Sequence, residues 1–297
     1  MKTEIKEPKK RGLLRQKLGK QYYILRRSYD WWLDDLLGRR KWAQQVLEDS
    51  GNDDCKAADI VEHFPYVVFE HKSVVMRELA GLDMQLQENK RRNLELAIEH
   101  LNGIVIRQGE VFSIWKNVGK PTRAKGYKEG LVLKQGQLSR GVGGGLCQLG
   151  NLLFWIFAHS PLSVIERYRH GFDVFPDVRR KVPFGAGATL SYNYIDLQVL
   201  NETVDDYRIE LWLDDENLYG RLLCESKLDD EYRVEERNHE MRMQFWGGYS
   251  RHNEIVQVVR HSDGTEDERL LVRNDAIMMY APFLEDQKVG ANIQEDR

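Results

Sequence analysis

The tightest constraint on this chain is one stretch, residues 141–158, in which Gly-Val-Gly-Gly-Gly-Leu-Cys-Gln runs without a break into Leu-Gly-Asn-Leu-Leu-Phe-Trp-Ile-Phe-Ala. Leu149, Leu152, Leu153, Ile156 and Phe157 recur at three- and four-residue spacing, which predicts a helix. Ser160-Pro161 ends it near Ala158, because a residue before proline is pushed out of the helical region. Cys147 therefore falls at the helix start, or within one residue of it. Backbone N–H groups there lack partners and carry partial positive charge. Both effects favour a thiolate, lower the cysteine pKa and activate the sulfur as a nucleophile. The same N–H groups can hold an oxyanion in acyl transfer. Gly143, Gly144 and Gly145 let backbone approach a substrate closely, and Gln148 offers a side-chain donor. Glycines before a helix are also ordinary loop chemistry, and free cysteine is among the most buried residue types. Spacing alone leaves catalysis and packing both open.

A thiol nucleophile needs a base within hydrogen-bond reach. Residues 162–168 have the β-branching of a strand, and His170 stands at its end, followed by Gly171. Helix, short turn and strand would fold back and return His170 to the helix start beside Cys147. His159 lies about three turns away, at the far end of the helix. His170 is thus the expected base. A zinc site from Cys147, His159 and His170 matches no compact ligand spacing, and neither a metal nor a cofactor is expected. The glycine run lacks the following Lys-Ser/Thr and the GxGxxG order of nucleotide loops. The pairs Asp205-Asp206, Asp214-Asp215 and Asp229-Asp230 sit in hydrophilic connectors and read as solvated turns rather than acid/base pairs.

The 297 residues carry 44 Lys+Arg against 47 Asp+Glu, a net charge of −3. That balance exerts no global pull on nucleic acid, and no nucleic-acid partner is expected. Three cysteines, Cys55, Cys147 and Cys224, make an odd count that points to reduced thiols rather than a disulfide framework. No run reaches the ~18 apolar residues of a membrane span. The N-terminus, MKTEIKEPKKRGLLRQ, is basic and has no apolar signal-peptide core. The expectation is a soluble, cytoplasmic protein with no transmembrane segment, whose basic arm makes at most a weak contact with a membrane surface.

Helices come first along the chain. Apolar residues from 13 to 47 recur at helical spacing, fitting an amphipathic helix or helical hairpin, with the Trp31-Trp32 pair packed against the next domain. Residues 50–54 form a loop. A second helix runs from Leu82 to Leu101, with Asn102-Gly103 as its stop. Short β-type runs come after it, such as 104–106 and 131–133, broken by glycines. After residue 188, alternating runs return at 188–200, 207–213, 219–225, 254–261 and 268–274, and His261–Gly264 reads as a hairpin turn. The fold class is α+β: a helical N-terminal extension (1–84), a core (85–201) and a β-rich C-terminal segment (202–297).

The run from Gly143 to Asp177, GGGLCQLGNLLFWIFAHSPLSVIERYRHGFDVFPD, closely resembles the VanW family, in particular its short form linked to glycopeptide-resistance clusters. Gln87-Glu88-Asn89, Asn93-Leu94 and Leu101-Asn102-Gly103 resemble the family's opening helix. Gly109–Ser113 resembles its PGE-x-FS turn, with Gln108 where proline is usual. Gly126–Gly130, Ala188–Ser191 and Ile195–Leu197 through Asn201 complete the pattern, dense from 85 to 201. The resemblance implies a VanW-type core. Longer exported relatives resemble L,D-transpeptidases, which rebuild peptidoglycan cross-links through a cysteine acyl-enzyme. Carried over by motif, the nucleophile is Cys147 and the histidine His170, acting on peptidoglycan stem peptides or their precursors. The alternative is a non-catalytic cell-wall-precursor-binding or accessory protein associated with glycopeptide resistance. The family often has Gly-x-Asp-Ala-Thr before the last strands, whereas Gly187 stands at the aspartate here. Asp196 is the expected substitute, orienting the histidine.

Overall fold

The computed structural model describes residues 18–46, 63–76, 84–134, 137–174 and 182–280. Cys55, the loop at 50–54 and the basic residues 1–17 lie outside the described residues. The chain is α+β, with a strand-rich C-terminal part.

Helix α1 (Lys20–Leu36) is one helix rather than a hairpin, and two-residue strands β1 (Lys41–Trp42) and β2 (Gln44–Gln45) follow it. Strand β3 (Tyr66–Val74) comes next, then α2 (Met84–Leu101). The expected stop at Asn102-Gly103 is present, with Gly103 at φ +80°. Strands β4 (Ile104–Ile106) and β5 (Glu110–Ser113) lead into the short α3 (Ile114–Val118), whose first turn is capped by Ser113 Oγ accepting from Lys116 N. Strands β6 (Glu129–Lys134) and β7 (Gln137–Val142) form a hairpin feeding the glycine loop, and α4 (Cys147–Ala158) starts and ends where its periodicity requires. The remaining elements are β8 (Ser163–Glu166), β9 (Phe172–Asp173), β10 (Gln198–Leu200), β11 (Tyr207–Leu213), β12 (Asn217–Cys224), β13 (Glu231–Met243), β14 (Tyr249–Arg260) and β15 (Glu266–Met278).

The strands build one sheet of order β1-β5-β10-β8, a second of order β2-β4-β11-β12-β3 and a third of order β13-β14-β15-β9. Strands from the 1–84 stretch therefore complete the first two sheets, alongside strands from the central and C-terminal stretches. The core centres on α4, whose Leu149, Leu153, Phe154, Ile156 and Phe157 are at most 1% exposed. Helix α4 lies on β12 and β3. Gly220 of β12 permits that approach, since a Cβ there would sit 2.9 Å from Ile156 Cδ1. Gln257 of β14 closes the other end of the helix, donating to the Ala158 and Ser160 carbonyls at 2.9 Å each.

Three elements depart from expectation. β3 falls in the stretch expected to be helical. β13 reads as a polar, charged segment, yet it is thirteen residues long. Its arginines are long enough to span a strand: Arg233 and Arg237 reach across β14 to Glu266 and Glu268 of β15, at 2.7 and 3.2 Å. On the same face Val256 and Val258 are only 7% and 2% exposed, consistent with alkyl stems lying over them. The expected strand at 188–200 reduces to Gln198–Leu200, because Asn193 adopts φ +50° inside a tight turn closed by the Ser191–Ile195 bridge.

Candidate functional site

Cys147 is the first residue of α4, exposed, with no side-chain cap from Leu146 before it. Its sulfur faces residues 188–190, which cross the start of the helix. Leu190 N donates to Cys147 Sγ at 3.4 Å, and the thiol donates back to the Leu190 carbonyl at 3.8 Å. One turn along the helix, Asn151 Oδ1 accepts Ala188 N at 2.9 Å. Thr189 N turns the other way and donates to Tyr168 O at 2.7 Å, while Thr189 Oγ1 accepts His170 N at 3.2 Å. Successive N–H groups of extended backbone point in opposite directions. Residues 188–190 are therefore a strap, with α4 on one edge and residues 168–170 on the other.

Both members of the expected pair are anchored to adjacent strap residues, Cys147 at Leu190 and His170 at Thr189, but the strap lies between their backbones. Thiol and imidazole share no hydrogen bond among the described residues, and His170 Nδ1 is buried without a partner. Burial, and then the Arg169 charge, lower the His170 pKa, so its ring is neutral at neutral pH.

The thiol departs from expectation. Desolvation raises its pKa above the ordinary value, outweighing the backbone N–H groups of Leu190 and Cys147 that lower it. Residue exposure and thiol desolvation describe different parts: one face of the residue meets solvent, while the sulfur rests against the strap. The resting pair is thus a neutral thiol and a neutral imidazole.

The expected oxyanion donors are spent elsewhere. Gly143 N donates to Lys128 O at 3.0 Å, Gly144 N to Gly141 O at 3.0 Å and Gly145 N to Leu131 O at 3.1 Å. Gln148 Nε2 donates to Ser73 Oγ at 2.9 Å and Val74 O at 2.8 Å, on β3 rather than toward Cys147. The glycines serve close packing: a Cβ on Gly144 would lie 2.1 Å from the Gly130 carbonyl carbon, and one on Gly145 2.2 Å from Lys90 Cγ.

Asp196 does not orient His170. It is 0% exposed, and its carboxylate accepts from Ser113 Oγ at 2.6 Å, Leu197 N at 2.9 Å, Trp115 N at 3.3 Å and Gln198 Nε2 at 3.3 Å. It thereby holds the start of α3 onto the segment leading into β10. Burial pushes its pKa up to about 6, with Ser113 opposing and Glu166 adding. A raised carboxyl pKa means that folding penalises the ionised form. The stability due to this group is complete below the ordinary 3.8 and is lost as pH rises through about 6, by roughly 3 kcal/mol. Asp196→Asn cannot titrate. The wild-type minus Asp196→Asn difference in denaturation free energy is therefore expected to fall between pH 4 and pH 6, the window bounded by those two values. A flat difference would show that Asp196 titrates normally.

Two residues of the site were missed in the sequence. Arg167 donates from Nε to Gly187 O at 2.7 Å and from a terminal nitrogen to Gly185 O, and its guanidinium lies 4.9 Å from the Phe154 ring. Burial, then Arg169, lower its pKa to about 9. No motif marks it. Asn151 had a signal: it lies four residues after Cys147, on the same helix face. A Cβ on Gly187 would meet Asn151 Oδ1 at 2.4 Å, so Asn151 occupies the space an aspartate at 187 would enter. Gly187→Asp alone is expected to displace Asn151 from Ala188 and lower the melting temperature, and Asn151→Ala in the same chain to relieve most of that loss. The double-mutant coupling should be on the order of 1 kcal/mol; strict additivity would contradict the shared space.

His159 is structural, stacked 3.8 Å from Phe69 with Nδ1 2.8 Å from Trp155 O. A concavity of about 310 Å³ lined by His63, Phe64, Arg107, Asp206 and Arg208 shares no residue with the Cys147 surroundings and has no part in thiol chemistry. Among the described residues, no helix is long and apolar enough to cross a membrane.

Comparison with known proteins agrees with the motif. The family model described as VanW like protein matches residues 89–223, which span the glycine loop, α4, both edges of the strap and β12. Over 181 residues the chain is 40% identical to the vancomycin B-type resistance protein VanW of Enterococcus faecalis (strain ATCC 700802 / V583), covering 61% of this chain and 66% of that protein. Over 118 residues it is 34% identical to the uncharacterized protein YoaR of Bacillus subtilis (strain 168), covering 39% of this chain and 36% of that one. The chain matches less than two thirds of either relative's length. No solved structure matches it. From its motif, its matched core and its relatives, the chain carries a VanW-family core over residues 89–223.

Proposed function

We propose that this protein is a cysteine-dependent acyl transferase of the L,D-transpeptidase type, acting on peptidoglycan stem peptides or their precursors. The observation that carries the reading is the thiol on the first residue of α4, a residue open to solvent on one face, with the Leu190 N–H aimed at its sulfur. That N–H supports a thiolate once the proton leaves. The cell wall enters through the family resemblance, and one relative is named a vancomycin resistance protein.

In the proposed cycle, neutral His170 takes the Cys147 proton as sulfur attacks the carbonyl carbon beside the terminal D-amino acid. The C–N bond breaks, and the departing amine takes the proton back from His170. An acceptor amine, or water, then attacks the thioester, the C–S bond breaks and the thiol is restored. Because both groups rest neutral, the proton moves during attack rather than before it. The acid limb of kcat/KM is therefore expected below the ordinary histidine value of 6.5, following the lowered His170 pKa. A limb at or above that value would show that the His170 ring is not held below its ordinary pKa.

The second reading is binding without chemistry. It is favoured by the glycine N–H groups being occupied and the thiol pKa being raised. Amino-acid release from a stem tetrapeptide by wild type, Cys147→Ser and His170→Ala separates the two. The enzyme reading expects full release by wild type, none by Cys147→Ser with peptide binding kept, and only a small residue by His170→Ala. Equal binding and no release by all three would favour the accessory role.

A further inference from the structure

Helix α1 carries an apolar stripe on its outer face. Leu18, just before the helix, and Leu25, Tyr29, Trp32 and Leu36 are 41%, 61%, 57%, 56% and 63% exposed. Spacings of four, three and four residues put the last four on one line along the helix. The opposite face is already used. The Tyr23 ring stacks edge-on with Tyr194 at 5.6 Å, Arg27 bonds Glu166 at 2.5 Å, Asn193 Nδ2 donates to Ile24 O at 3.1 Å, and Trp31 meets Trp42 at 5.8 Å. The Trp31-Trp32 pair, expected to pack as a unit, is thus split: Trp31 toward the body and Trp32 outward.

A helix held by one face with an apolar line on the other presents a convex ridge, and a ridge suits a fluid apolar phase better than a flat protein surface. Two features specify which phase. Tyr and Trp prefer the boundary between lipid and water. The first twenty residues of the sequence hold eight Lys/Arg against two Glu, a net of +6. Nor does unbalanced negative charge on the helix oppose an acidic surface: Asp30 is matched by Arg26 at 3.6 Å, Asp34 by Arg40 at 3.3 Å and Asp35 by Lys116 at 2.6 Å. An apolar stripe together with a basic stretch is the two-signal requirement for stable attachment to an anionic bilayer.

We propose that α1 lies in the plane of an anionic membrane surface, with Leu25, Tyr29, Trp32 and Leu36 in the headgroup–acyl boundary. The inner face of this helix is bonded to Ser191, through Lys20 Nζ at 2.8 Å, and to Asn193, just past the strap that holds Cys147. Attachment would therefore hold the thiol site near the bilayer, where lipid-linked substrates are found. It does not depend on any chemistry at Cys147.

The test is co-sedimentation of the full chain with vesicles of phosphatidylcholine alone and of phosphatidylcholine with an equal part of phosphatidylglycerol. Trp fluorescence is followed alongside. Wild type should bind only the phosphatidylglycerol vesicles, with a blue shift and a steep loss in salt. Leu25→Ser/Trp32→Ser should keep its melting temperature and lose roughly tenfold or more of its partitioning. Cys147→Ser should bind as wild type does, which separates this result from any failure of the acyl-transfer reading. Three results would each overturn the proposal: no binding to either vesicle, binding indifferent to the double substitution, or a wild-type dimer that the double substitution dissociates. The last would make the stripe an interface between copies.

Discussion

Gly144→Ala is expected to cost about 3 kcal/mol or more and to lower the melting temperature on the order of 10 °C. The added Cβ would lie 2.1 Å from the Gly130 carbonyl carbon and 2.6 Å from its Cα. Both are backbone atoms of β6, so no rotamer change can relieve the clash. The contact is reciprocal, since a Cβ on Gly130 would lie 2.6 Å from the Gly144 oxygen. That oxygen also accepts Asn93 Nδ2 at 2.9 Å. Pushing β6 away would thus strain the β6–β7 hairpin and the buried end of an α2 contact together. The thermal melt reads this directly. An alanine variant with unchanged melting and lost activity would mean that Gly144 meets substrate, contrary to its packed position.

Cys147→Ala has the largest expected effect on activity, a complete loss of turnover at unchanged stability. The side chain packs against the strap only through weak sulfur contacts to Leu190, so its removal leaves α4 and the strap in place. His170→Ala should leave a residue of activity, lower by about 10²–10⁴-fold, the usual worth of a positioned base. The two losses should not add in the double variant, because each removes the same step. Comparable losses for Gln148→Ala, whose amide is held by Ser73 and Val74, would relocate the oxyanion donors to the place first expected of them.

How much of this was legible depends on what each residue needs opposite it. Helix α4 was fully legible, start and stop, because apolar spacing and the Ser-Pro step are local signals. The same stretch hid the role of its glycines. Whether an N–H is free for a substrate is decided by a local turn onto the Gly141 carbonyl and by the carbonyls of Lys128 and Leu131, which only the pairing of β6 with β7 brings there. Asp196 was legible as an acid near the right strand, not as one enclosed by Ser113, Trp115 and Gln198. β13 escaped because its alternation is one of charges, which looks like a connector until β15 supplies the opposite charges. His170 was expected beside Cys147 and lies beside the strap, its N–H on Thr189 Oγ1. The contact with Cys147 that would make it a base is absent at rest, and catalytic hydrogen bonds often tighten only around substrate.

The most direct measurement is intact-protein and peptide mass spectrometry after brief mixing with a stem tetrapeptide and an acid quench. Acyl transfer through Cys147 predicts a mass gain equal to the peptide minus its terminal D-amino acid, mapped to Cys147, labile to hydroxylamine and absent in Cys147→Ala. No adduct under conditions where the peptide demonstrably binds, or an adduct carried by Cys55 or Cys224 instead, would contradict it.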